Sequence, residues 1–288
     1  MIALTAAEIA DAFQWSCRAE LGALKPGNVH VHAAGHGMEV AQFEAAAAAA
    51  APHLADPRLN VGARIRRAVA ASLESAHCNT NLGIILLCAP LAAAAERSAG
   101  GSLQERTRAV LSELDARDAA DVYAAIRQAN PGGLGKSDKA DVGDAPPPSL
   151  LDAMALAAPR DRIAANYVSG FRDIFEDHLP TLIRIRDGGG GNAVPSQDDA
   201  VATLYLSLLA RYPDSHIRRK FGIETAAHVQ QLAKAAKPLW RPAVTPRSYP
   251  GLMDLDGLLK SQGWNPGTTA DFVVATLFAA RIAPTFVH

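Results

Sequence analysis

The chain has 288 residues, 49% of them hydrophobic, 20% charged and 6% aromatic, which is enough interior for one large domain or two small ones and excludes disorder over most of the length. Lys plus Arg total 28 against 29 for Asp plus Glu, a formal charge of -1, so bulk charge does not favour a nucleic acid or an anionic membrane as partner.

Much of the apolar share is alanine, the best helix former and the smallest side chain, which favours closely packed helices over a β-sandwich. The first predicted helix opens at Thr5, with Glu8 three residues on as capping-box partner, and runs to about Leu21 before Gly22 ends it. Residues 23–38 (ALKPGNVHVHAAGHGM) read as a loop punctuated by Pro26, Gly27, Gly35 and Gly37. A second helix, over 39–51, is expected to stop at Pro52. Val61, Ile65, Val69 and Leu73 repeat at helical spacing within 56–76, and the apolar stretch to about Glu96 is long enough for a buried helix. Helices over 103–114 and 116–128 follow. Residues 130–149 are too rich in Gly, Pro and Asp for regular structure and read as a mobile or functional loop. Helices resume over 150–157 and 161–185, break at a Gly-rich segment, 187–197, and continue over 198–211, 214–220, 223–236, 249–262 and 268–282. There is no repeat and no strand–helix alternation. The expectation is an all-α protein, a compact multi-helix single domain, with a division into two cores near 130–149 as the alternative.

The longest strongly apolar run, Leu82 to Ala95, contains Pro90 and is short of the ~20 residues of a spanning helix. The first residues carry acids rather than a basic secretory start. Cys17, Cys78 and Cys88 form no CxxC pair, so the expected setting is a reducing cytoplasm without disulfides or a zinc knuckle.

Several segments hold residues with chemistry. His30, His32 and His36 in HVHAAGH resemble a metal-ligand cluster; an amidohydrolase would set such a pair at a barrel strand end, and no such strands are predicted. The plainer reading is a polar glycine loop whose histidines contact ligand or backbone. Lys25-Pro26-Gly27-Asn28, just beyond a helix carrying Glu20, offers an ammonium and a glycine that lets an anion approach the backbone, or an ordinary turn. Asn79, Thr80 and Asn81 precede an apolar helix; Asn79 or Thr80 can cap it, and its first-turn N–H groups make an anion site. Asp138, Asp141 and Asp144 stand three apart in the 130–149 loop, suiting either Mg²⁺ or a solvated charged loop. Asp214 and Ser215 read as a cap, with Arg218, Arg219 and Lys220 a turn later complementing the helix dipole or clamping phosphate. Asn265 to Phe272, NPGTTADF, reads as a helix start. No Walker loop, GxGxxG, GxSxG or HExxH occurs, which removes support for a P-loop kinase, a Rossmann dehydrogenase and a serine hydrolase.

Taken in order, KPGNVH, GHGME, NTNLG and NPGTTAD resemble the triphosphoribosyl-dephospho-CoA synthase family over roughly residues 8–280. The resemblance implies an all-α, Mg²⁺-dependent, ATP-using transferase. The ribose 2′-hydroxyl of 3′-dephospho-CoA attacks C1 of the ATP ribose, adenine leaves, and the triphosphate stays on the transferred sugar. It implies that Lys25, the Gly27 backbone and Asn28 hold phosphate, and that Glu20, Asp138 or Asp141 serves as Mg²⁺ ligand or base. His36 is then the acid or a phosphate donor. Asn79, Thr80 and Asn81 fix ribose or adenine, and Asp214, Arg219 and Lys220 add to nucleotide binding. Bacterial members typically continue KPG as L-V-D and read Asn-Thr-His-Lys-Gly, where this chain has Asn28-Val29-His30 and Asn79-Thr80-Asn81-Leu82-Gly83. These departures resemble a branch of archaea and methylotrophic bacteria. They give a second reading, transfer onto another acceptor in one-carbon cofactor (methanopterin or methylofuran type) biosynthesis. The expected partners are ATP and dephospho-CoA or a related small acceptor, with no nucleic acid and no membrane. The alanine-rich faces would pack within the chain or between the subunits of a homodimer.

Overall fold

Thr5 accepts a hydrogen bond from the Glu8 N–H, and the Glu8 carboxylate accepts one from the Thr5 N–H (2.8 Å), opening α1 (Ala6–Gly22) with the predicted capping box. The computed structural model describes residues 3–98, 100–131, 149–188 and 194–283. After α1 come α2 (Val40–Leu54), α3 (Val61–Ala76), α4 (Leu82–Ala95), α5 (Leu103–Ser112) and α6 (Ala116–Ala129). Then follow α7 (Leu150–Ala157), α8 (Arg162–Val168), a π-helical turn (Asp173–His178) and α9 (Leu179–Arg186). The chain closes with α10 (Gln197–Arg211), α11 (Ser215–Phe221), α12 (Ile223–Ala235), the short α13 (Lys237–Trp240), α14 (Tyr249–Ser261) and α15 (Gly267–Ile282). Among the described residues there is no strand, only two isolated bridges in the 23–38 loop, His30–Ala33 and Gly35–Met38. The fold is all-α, as the composition indicates.

A helix that is apolar on every side has to be enclosed. In α4 every residue from Ile84 to Ala95 is buried, Pro90 included. In α15 only Gly267, Asp271 and Arg281 are not buried. These two helices pack on each other, and α15 also packs on α1 and α10. The buried apolar side chains form one continuous cluster from Ile9 to Ala283. Alanine serves the close contacts: α2 faces its neighbours α1 and α3 with Ala46, Ala47, Ala50 and Ala51 buried. Gly62 of α3 lies against α6, donating its N–H to Asp118 Oδ1 (2.6 Å).

The structure corrects several local expectations. α2 runs through Pro52 to Leu54. Proline in the last turn costs one N–H bond, the one to Ala48, and Ala48 is exposed, so water can satisfy that carbonyl. The single helix expected over 161–185 is broken. Gly170 (φ 68°) and Phe171 (φ 61°) take left-handed backbone, and the Phe171 N–H bonds back to Asn166 O (2.8 Å), a helix-ending geometry. A left-handed Phe is strained; full burial of its ring against Tyr167 (centroids 5.2 Å apart) offsets that. Neither Asn79 nor Thr80 caps α4: Asn81 is the N-cap residue, and no side chain bonds the first-turn N–H groups.

A Cβ at Gly62 would stand 2.5 Å from Asp118 Cα and 2.8 Å from its carbonyl oxygen. Gly62→Ala is therefore expected to force α3 and α6 apart and to lower stability by about 1–3 kcal/mol, read from the midpoint of urea unfolding.

Candidate functional site

The turn after α1 is organised by a buried ammonium. Lys25 is fully buried, and its Nζ donates to a Glu20 carboxylate oxygen, to Asn28 Oδ1 (2.9 Å) and to Val29 O (2.7 Å). Three acceptors use all three of its donors. Asn28 Nδ2 in turn donates to Asn265 Oδ1 (2.8 Å), joining this turn to the one that opens α15. Gly27 has φ 83°, and its N–H donates to Asp256 Oδ1 (2.8 Å). A side chain at Gly27 would come within 2.9 Å of Leu259 and Pro266. Tyr205 of α10 donates its hydroxyl to Pro26 O (2.8 Å), and His36 Nε2 donates to Gly27 O (2.8 Å). His30 is buried beside Asp256 (3.4 Å), and Lys260 reaches both Asp256 Oδ2 (2.9 Å) and Ala33 O (3.0 Å). The loop is thus clamped against α10 and α14.

Beside this clamp lies a cavity of about 550 Å³, within the usual size of a small-molecule site. Its polar side chains include Glu20 and Asn28, Asn79 and Thr80 ahead of α4, Asn265 and Thr268 with Asp271, His216 with Arg218 and Arg219 of α11, and Arg160 and Asp161 ahead of α8. Its apolar wall comes from α6, α7 and α8, with Val122, Tyr123, Ile126, Leu150, Met154 and Ile163. Leu82, Gly83 and Ile84, the first turn of α4, also face it.

Two carboxylates in this cavity stand out. Glu20 bonds Lys25 through one oxygen, and its other oxygen has no hydrogen-bond partner among the described residues. Burial pushes the Glu20 carboxyl up and the Lys25 ammonium down, and their mutual attraction opposes both shifts. Asp271 receives no hydrogen bond among the described residues. Its carboxyl is held well above the ordinary carboxylate range by desolvation first, and then by the charges of Asp214, Glu20 and Asp161. It rests on Gly83, where a Cβ would meet Asp271 Oδ2 at 2.0 Å. Arg219 Nη1 lies 3.5 Å from Asp161 Oδ2. His216 is pushed down to about 4 by burial and by Arg219, Lys220 and His36, so it is neutral at pH 7.

Of the residues proposed from sequence, Glu20, Asn28, Asn79, Thr80, Arg218 and Arg219 line the cavity. Lys25, Gly27, His36, Asn81, Asp214 and Lys220 are described but do not line it. Lys25 stands behind Glu20 with all its donors used, and the Gly27 N–H is committed to Asp256, so neither meets the phosphate-binding expectation as written. Asn81 is buried away from the cavity. His36 serves the Gly27 carbonyl. Asp214 is buried with its carboxylate saturated: it caps α11 through the His216 and Ile217 N–H groups and accepts from the N–H and hydroxyl of Thr269. Lys220 is exposed over the Phe221 ring. Asp138, Asp141 and Asp144 lie outside the described residues. Among the described residues, no group of three or more His, Cys, Asp or Glu is placed to hold a metal ion by itself; the His30 and His32 rings stand 5.7 Å apart, His30 beside Asp256 and His32 against Tyr249, while His36 bonds the Gly27 carbonyl. Sequence reasoning missed Asp271, Asp161, Asn265 and Phe43 as lining residues. Asn265 and Asp271 carried a signal, since both belong to the NPGTTAD motif.

The family model for ATP:dephospho-CoA triphosphoribosyl transferase (CitG) matches residues 6–286. Among solved structures, the chain is similar to a candidate triphosphoribosyl-dephospho-CoA synthase from Archaeoglobus fulgidus, at 27% identity and a TM-score of 0.61. That alignment covers 82% of this chain and 96% of the other. No curated protein matches.

An acid whose folded pKa is raised binds more protons in the folded than in the unfolded state, so its cost to stability appears as pH rises through the interval between the two values. Asp271→Asn removes that cost. The variant is expected to melt above the wild type at pH 7, with the difference shrinking as pH falls below the ordinary carboxylate range; thermal unfolding at pH 3.5 and pH 7, each about half a dozen replicates, measures it. An equal shift at both pH values would reject the charge as the cause.

Proposed function

Because the chain belongs to the ATP:dephospho-CoA triphosphoribosyl transferase family, we propose that its cavity joins the triphosphoribosyl group of ATP to the ribose 2′-hydroxyl of 3′-dephospho-CoA. The bond between ribose C1 and adenine breaks, its electron pair leaves with adenine, and adenine takes up a proton. The bond from C1 to the acceptor oxygen forms, and the hydroxyl proton passes to a base. The observation that supports this is the meeting, in one cavity, of carboxylate oxygens without hydrogen-bond donors and three arginines, Arg160, Arg218 and Arg219.

Phosphate binding, the base and the positioning of the sugar each have a residue suited to them. Arg218 and Arg219 offer guanidinium groups to the triphosphate. Glu20 is the base: Lys25 orients one oxygen and leaves the other open to the cavity. Burial raises its affinity for a proton, which suits a base working near neutral pH. Negative charge on Glu20 also favours an oxocarbenium-like centre at C1. Asn28 and Asn265, fixed by their mutual bond, present amide groups to the sugar.

Mg²⁺ fits this cavity. Asp271 is a carboxylate with no protein donor, raised by neighbouring negative charge, and Mg²⁺ characteristically takes one or two carboxylates, substrate phosphates and water. Asp271 would hold it, and when bound it neutralises triphosphate charge. The reaction belongs in the cytoplasm, where ATP is available. Among the described residues no helix is long and apolar enough to cross a membrane. Transfer onto a one-carbon cofactor precursor is not favoured, since the matching family is defined by dephospho-CoA.

Incubation with ATP, Mg²⁺ and dephospho-CoA is expected to release free adenine in step with acceptor consumption; ADP or phosphate in its place would overturn the reading. Glu20→Gln is expected to lower turnover by about 100-fold or more while ATP still binds, and chelation of Mg²⁺ to abolish turnover.

A further inference from the structure

One aromatic in the cavity is used by neither the core nor another ring. Phe43, in the first turn of α2, is half-buried and lines the cavity, yet it is not among the side chains packed on the hydrophobic core. It has no ring or cation contact among the described residues. Asn79 is its polar counterpart. Its carboxamide lines the same cavity and has no hydrogen-bond partner among the described residues. Gln42 ties the two segments that carry them together: its Nε2 donates to Ala76 O (3.2 Å) and lies 3.6 Å from Cys78 Sγ. Phe43 and Asn79 are each one position further along those two segments.

An idle ring and an idle amide lining one cavity have a chemical complement. A purine offers a flat apolar face for an aromatic to stack on, and adenine offers along its edge an amino donor next to a ring-nitrogen acceptor, which a carboxamide can bond in pairs. Neither residue carries charge, so neither suits the triphosphate. We propose that Phe43 and Asn79 form an adenine clip, Phe43 stacking on the base and Asn79 reading its edge. This rests on the transferase reading above, in which both substrates carry adenine; the clip takes the base of one of them, and the test tells which.

The experiment titrates ATP, GTP, dephospho-CoA and inorganic tripolyphosphate into the full chain with Mg²⁺, in wild type, Phe43→Ala, Phe43→Trp and Asn79→Ala. Phe43→Ala is expected to weaken ATP or dephospho-CoA binding by about tenfold or more, the size of a lost base stack, with tripolyphosphate bound as in wild type. The ligand that weakens identifies the adenine held. Phe43→Trp is expected to retain that affinity, and Asn79→Ala to narrow the preference for ATP over GTP. Alanine variants that bind both adenine ligands as tightly as wild type would overturn the clip alone. So would an equal loss of tripolyphosphate, which signals a collapsed cavity. Wild-type protein that binds neither ATP nor dephospho-CoA would overturn the transferase reading and the clip with it.

Discussion

The buried ammonium of Lys25 is the constraint around which the site is built. A charge enclosed by protein is tolerated only when it is paired and its donors are satisfied. Here that demand draws in Glu20 from α1, the Asn28 side chain and the Val29 carbonyl. Once those are held, Asn28 can reach Asn265 only if the turn before α15 lies alongside. Asp256 closes the arrangement from α14 by taking the Gly27 N–H. Segments more than 200 positions apart are thereby brought to one cavity by a network in which no donor of Lys25 is spare.

The same network leaves carboxylate oxygens in the cavity without donors among the described residues. Glu20 is oriented by Lys25 yet keeps one oxygen open, and Asp271 interrupts the face of an otherwise enclosed helix with no hydrogen bond to stabilise its charge. Both are destabilising features for folding and useful ones for binding a cation or moving a proton, the usual exchange between stability and function. Gly83 makes the second of them possible. Without a Cβ, the first turn of α4 can sit directly beneath the Asp271 carboxylate, where helix N–H groups offer favourable electrostatics.

Much of the secondary structure could be read from local chemistry. The Thr5–Glu8 capping box, the alternation of apolar positions in α3, and the helix over 150–157 all depend on neighbours within a few residues. The failures share one cause, which is compensation from distant parts of the chain. Phe171 is left-handed because its ring is buried, and that burial is supplied by Tyr167 and the surrounding core rather than by its flanking sequence. The KPGN turn shows the same division. Its residue types announce a site, but the direction of each group is set elsewhere: Asn28 lines the cavity, Lys25 points inward and the Gly27 N–H bonds Asp256. Arg219 and Lys220 make the point most simply, since adjacent helical residues lie about 100° apart and one lines the cavity while the other faces solvent.

By itself, the amino-acid sequence determined the helical class, most helix starts and the family, because capping, periodicity and short ordered motifs are written in contiguous residues. Tertiary structure alone decided which members of those motifs line the cavity. Burial, saturation of donors and the approach of Asp271 to Gly83 arise between helices, and no local pattern encodes the side from which a neighbour arrives.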